Sequence, residues 1–168
     1  MIFKFLSKNF YISFSIVALI YFLDRLSKSY VIQLDKNNLG SDIFNSAYLN
    51  IVLIWNKGIA FGLLSFNESY LYNIISSIIA IIIIVLVIMS LKSQGFKRYS
   101  LLMIVGGALG NLHDRIFFNA VPDFIDFHIG NFHWFIFNVS DIFITLGVIS
   151  MIIQELIDKD KYSNDKNI

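Results

Sequence analysis

Apolar residues in this chain come in long unbroken runs, not in the alternation of a half-buried strand or the one-sided stripe of a soluble helix. From Ser69 to Leu91 there is no charged residue, and the stretch AIIIIVLVIM is apolar on every face. About 20 such residues are enough to cross the hydrocarbon core of a bilayer. An earlier run, at about 10–32, follows Lys4 and Lys8 and carries Asp24, Arg25 and Lys28 toward its far end. No small-x-small cleavage pattern follows it and more apolar segments come later, which predicts a retained span and not a removed signal. Two further spans are predicted at about 99–118 and 135–157. Between the first two spans, residues 34–68 form a long connection in which AYLNIVLIW is β-branched and aromatic, predicting a short strand or two. The expected fold class is an all-α integral membrane protein. It has four transmembrane helices and a small extracytoplasmic sheet, or cradle, between helices 1 and 2.

Composition sharpens this reading. Only 15% of the residues are charged and mean hydropathy is +0.69, too little polar material to coat a water-facing surface. Net charge is +1, which offers no basic field for nucleic acid. The absence of cysteine removes disulfides, thiolate metal sites and cysteine nucleophiles together. Orientation follows from the positive residues. With the N-terminus inside, Lys4, Lys8, Lys92, Lys97, Arg98, Lys159, Lys161 and Lys166 are cytoplasmic, while Arg25, Lys28, Lys36, Lys57 and Arg115 lie outward. Both termini are then cytoplasmic. Residues 1–157 make one membrane domain, and 158–168 make a polar cytoplasmic tail expected to be disordered.

In so apolar a chain the informative residues are the polar ones inside the spans, where a charge costs about 2.5–3.5 kcal/mol at a helix centre. The third span ends in GNLHDR, with Asn111, Asp114 and Arg115, and FFNAVPDFIDF follows with Asp123 and Asp126. Asn138 and Asp141 are three apart at the start of the fourth, and Asp24 and Lys28 four apart in the first. The topology gathers these groups toward the outer face. Asp114 beside Arg115 reads most simply as an ion pair at a helix end, and Asp24 with Lys28 as an intrahelical pair. Asp141 has no obvious cation beside it and lies ~9 Å into its predicted span. His113, His128 and His133 lack metal-ligand spacing and read as interfacial. Gly106 and Gly110 allow close helix packing. Two close carboxylates share a proton, so one could act as base on water while the other polarises a carbonyl. The same pair could relay protons in a transporter. Spacing alone leaves both open.

The boxes FLDRLSK, WNKGIAFG, GGALGNLHDR, VPDFIDF and FNVSDIFITLG, in this order, resemble the bacterial lipoprotein signal peptidase (signal peptidase II) family over nearly the whole chain. The resemblance implies a four-helix membrane aspartyl peptidase of the inner membrane that cuts prolipoproteins before a diacylglyceryl-modified cysteine. It implies Asp123 and Asp141 as the catalytic dyad. Asp24, Lys28, Asn56, Gly58, Asn111, Asp114, Arg115 and Asn138 would support the dyad or contact substrate, with Trp55–Gly62 as a substrate clamp. It also implies membrane lipid as a partner, globomycin as an inhibitor, and no metal or organic cofactor. The chain departs at Pro122, where Val is usual, and at Ser140, where Ala is usual. Pro122 would stiffen the approach to Asp123, and the Ser140 hydroxyl could bond within the site.

Overall fold

In the computed structural model, residues 8–37, 43–58 and 69–165 are described. The elements follow in the order α1 (Lys8–Asn37), β1 (Phe44–Asn45), β2 (Leu49–Asn56), α2 (Ser69–Lys92), α3 (Gly95–Phe118), β3 (Val121–Ile129), β4 (Phe132–Phe137) and α4 (Val139–Asp165). All four helices are long and apolar enough to cross a membrane. Their outward side chains, such as Leu19, Phe22, Ile81 and Ile153, are exposed apolar groups suited to lipid.

Helix α3 is the hub. Half of its apolar window is buried, against 17% or less for the others. Small residues make this possible, because without a hydrophobic drive between helices in lipid, close backbone approach decides packing. A Cβ on Gly106 would stand 2.9 Å from the Ile20 side chain of α1, and one on Gly107 would stand 2.5 Å from the Ser140 carbonyl oxygen of α4. Gly110 faces both neighbours, since a Cβ there would meet Asp24 Oδ2 at 2.6 Å as well as Ser140 Oγ. The small residues expected to pack one helix therefore seat two.

The sheet is antiparallel, in the order β1-β2-β3-β4. This enlarges the expected cradle: β1 and β2 come from the connection between α1 and α2, while β3 and β4 come from that between α3 and α4. The fourth span accordingly begins at Val139 and not at Phe135, because Phe132–Phe137 pairs with β3. The polar tail is also corrected. Residues 158–165 continue α4, in a stretch with no glycine or proline to stop it.

One irregularity in β2 positions the site. The pairing shifts by one residue between Ile51↔Ile125 and Ile54↔Asp123. Alternation alone would put Asn50 and Asn56 on the same face, since they are an even number of residues apart. The bulge reverses this, leaving Asn50 on the face of Asp126 and turning Asn56 to the face of Asp123.

Candidate active site

Asp123 lies near the start of β3 and Asp141 in the first turn of α4. Asn138 joins them. Its Nδ2 donates to Asp123 Oδ1 at 2.6 Å, its backbone N–H donates to Asp141 Oδ2 at 3.1 Å, and its Oδ1 accepts the Asp141 N–H at 3.2 Å. The last two bonds are a reciprocal cap, with Asn138 before the helix and Asp141 three residues on. Asp141 is therefore a half-buried residue of the first turn, not one ~9 Å deep in a span. Asp24 Oδ1 of α1 accepts another first-turn N–H of α4, that of Ser140, at 3.0 Å.

The remaining carboxylate oxygens are also met by amides. Asn56 Nδ2 donates to Asp123 Oδ2 at 2.8 Å and Asn111 Nδ2 to Asp141 Oδ1 at 2.8 Å. In each asparagine a group that can only donate fixes which end points at the aspartate. Gly58 N–H donates to Asn56 Oδ1 at 2.8 Å, and Lys28 Nζ to Asn111 Oδ1 at 2.9 Å. Asp123 is 4% exposed, and burial first, then the Asp141 carboxylate, raise its carboxyl to about 6. Its neutral amide partners lower it less than a bonded cation would.

Behind the pair lies an ion network that neutralises itself. Lys28 Nζ lies 2.9 Å from Asp24 and 2.7 Å from Asp114, and Arg25 reaches Asp24 at 2.7 Å and Asp114 at 2.5 Å. The intrahelical Asp24–Lys28 pair is thus present, but the pairing of Asp114 with Arg115 is not. Arg115 turns to the other side, donating from Nη2 to the Gly58 carbonyl at 2.7 Å and lying over the Tyr72 ring at 5.4 Å. Its Nε and Nη1 are buried without a hydrogen bond among the described residues. Arg25 was not among the expected site residues, although a cation inside a span between two acidic partners is a readable signal. The Ser140 hydroxyl is likewise without a bond among the described residues, contrary to the role expected of it. Pro122 is fully buried opposite Trp55, upstream of the residues of β3 that pair with β4. Of the expected clamp, residues 59–62 lie outside the described residues.

Asn56, Asn111, Arg115, Asp123 and Asp141 line a cavity of about 490 Å³ whose other walls, Thr145 apart, are apolar, from Ile79 of α2, Ala108 of α3 and Ile144 and Val148 of α4. Asp141 also lines a second apolar cavity of about 380 Å³ bounded by Trp134, Phe137 and Leu146.

Fold and site together describe a polytopic membrane protein with an aspartate pair, one buried and one half-buried, facing an apolar cavity, the class of the membrane aspartic peptidases. The family model described as "Signal peptidase (SPase) II" matches residues 16–157. The chain is 48% identical to a lipoprotein signal peptidase of Pelagibacter ubique (strain HTCC1062), covering 95% of this chain and 96% of that one. It is 44% identical to a lipoprotein signal peptidase of Anaplasma phagocytophilum (strain HZ), over 80% and 85%. A solved bacterial membrane enzyme superposes with a TM-score of 0.72 at 32% identity, over 89% and 90% of the two chains. The chain belongs to the signal peptidase II family. It is an aspartic-family peptidase that cleaves signal peptides from prolipoproteins, which decides against the proton-relay alternative.

Proposed function

We infer that Asp123 and Asp141 are the catalytic dyad and that the substrate is a diacylglyceryl-modified prolipoprotein, cut before its lipidated cysteine. The observation that carries this reading is the pair's common attachment to Asn138 where both line a largely apolar cavity. One carboxylate takes a proton from water as the water oxygen attacks the scissile carbonyl. The other, protonated, gives its proton to the developing tetrahedral oxygen. Collapse of that intermediate breaks the C–N bond, and the leaving amine recovers a proton from the dyad. The asparagines hold both carboxyls in place without neutralising them, and Arg115 Nε and Nη1, which have no hydrogen bond among the described residues, can donate to a substrate carbonyl. The two cavities flanking Asp141 suit acyl chains and the apolar signal segment.

The remaining features of this reading concern placement. Residues 1–157 act as one domain in the bacterial inner membrane, with the sheet and dyad at the outer face. Both termini and the 158–168 tail are cytoplasmic, in keeping with the Lys/Arg distribution. The experiment is incubation of purified protein with one prolipoprotein in lipidated and unlipidated forms. Release of the signal peptide from the lipidated form, blocked by globomycin, is expected. Equal cleavage of both forms would overturn the assigned substrate.

A further inference from the structure

The face of β3 opposite the dyad carries a second polar group that the reaction leaves unused. Asp126 and His128 are two apart on β3 and so share that face. On β4, a one-residue shift between Asp126↔Ile136 and His128↔His133 sets His133 opposite His128, where an unbroken register would have set Trp134. We propose that Asp126, His128 and His133 form a binding site for a divalent transition-metal ion of the Zn(II) class, separate from the aspartate dyad.

Three observations carry it. One ligand atom from each residue lies within 4.8 Å of the other two. His133 Nδ1 stands 3.0 and 2.9 Å from the two Asp126 oxygens, and Asn50 Nδ2 donates to Asp126 Oδ2 at 3.2 Å. That amide aims the carboxylate as an outer-shell partner aims a metal ligand. Most telling, His128 is 8% exposed and its Nδ1 is buried without a hydrogen bond among the described residues. A buried ring nitrogen left so is costly, and a metal bond made from that nitrogen would satisfy it. Two imidazoles and a carboxylate suit zinc and its neighbours, not the all-oxygen shells of calcium or magnesium, and leave a fourth position for water. The rings of His128 and His133 stack at 4.9 Å and 17°. Binding therefore requires one ring to turn out of the stack, and His133, with its side chain 52% exposed, has room to do so, exchanging its bond to Asp126 for one to the ion. The ion would tie β3 to β4, the hairpin that leads directly into Asn138.

The test uses the full chain in detergent, with any polyhistidine tag removed and metal stripped by a chelator. Co(II) serves as the spectroscopic probe and Zn(II) as its competitor. One equivalent of Co(II) is expected to give a visible d–d band that Zn(II) abolishes, and Zn(II) is expected to raise the thermal midpoint. His133→Ala, at an exposed position, should weaken binding by about tenfold or more, as losses at metal sites generally do, and should lose the thermal shift. His113→Gln, outside the cluster, should bind as the wild type does. Absence of the Co(II) band from the wild type, or unchanged affinity in His133→Ala, would overturn the site.

Discussion

Asp123→Asn probes the dyad through stability as well as rate. The carboxyl is raised from 3.8 to about 6, by burial first and the Asp141 carboxylate second. The folded protein thus holds this proton more tightly than the unfolded chain does. Such a group contributes most below its unfolded value, and the contribution is lost as pH rises through about 6. The interval between 3.8 and about 6 spans roughly two units, and at ~1.4 kcal/mol per unit the loss approaches ~3 kcal/mol. Asparagine keeps the shape and never ionises, so the variant escapes that loss.

A misfit opposes this gain, and it can be located. Both Asp123 oxygens accept from amide nitrogens, those of Asn138 at 2.6 Å and Asn56 at 2.8 Å. An amide side chain offers only one oxygen there, so one donor faces another, at a cost of ~1–3 kcal/mol. Protonated aspartic acid meets the same conflict, so near about pH 4 the variant and wild type are expected to be similarly stable. Between about pH 4 and about pH 8 the variant should gain ~2–3 kcal/mol relative to wild type. Thermal midpoints in one detergent at both pH values measure the gain, and cleavage of lipidated substrate by equal amounts of folded protein measures the loss of activity. A variant that loses ground as pH rises, or that still cleaves, would refute the reasoning.

Asp141→Asn should also abolish cleavage. The double variant should be little worse than either single one, because residues acting as a unit are not additive. Near-normal turnover by Asp141→Asn would rule out the dyad. Asp114→Asn should act through folding, at ~3–5 kcal/mol, because it leaves Arg25 and Lys28 short of a buried carboxylate; a normal thermal midpoint would contradict this. Single cysteines at Ser93 and Ser163 should resist an impermeant outside reagent while one at Asn45 labels, and labelling at Ser93 would invert the proposed orientation.

The spans were legible because apolarity on all faces is a local property of the chain. Asp141 stood out because a charge read as lying inside a span is expensive, and Asp123 gained weight only as its partner. Partner choice was less legible, since whether Asp114 meets Arg115 or Arg25 depends on how α1 lies against α3. Phe132–Phe137 has no periodicity that separates a strand from the start of a span. The spacing of Asn138 and Asp141, suited to a reciprocal cap, does mark the helix start at Val139. The two register shifts could not be read at all, because a bulge exists only relative to the partner strand. Yet they decide which residues share a face with Asp123 and which with Asp126.

Lys28 shows why so costly a residue belongs beside the proposed dyad without touching it. Nearly all of it is buried, and its ammonium is held by Asp24, Asp114 and the oxygen of Asn111. A lysine bonded directly to Asp141 would hold that carboxylate ionised and unable to share a proton. Placing the Asn111 amide between them passes on the orientation but keeps the cation from contact. The ammonium accepts nothing, so the amide oxygen must face it and Nδ2 must face Asp141. Gly58 does the same for Asn56 with a backbone N–H, and the first turn of α4 does it for Asn138. Each carboxyl is thus met by donors whose direction is fixed by the fold, and in the proposed mechanism such preorganised donors would stabilise the charge that develops as the protonated carboxyl gives up its proton.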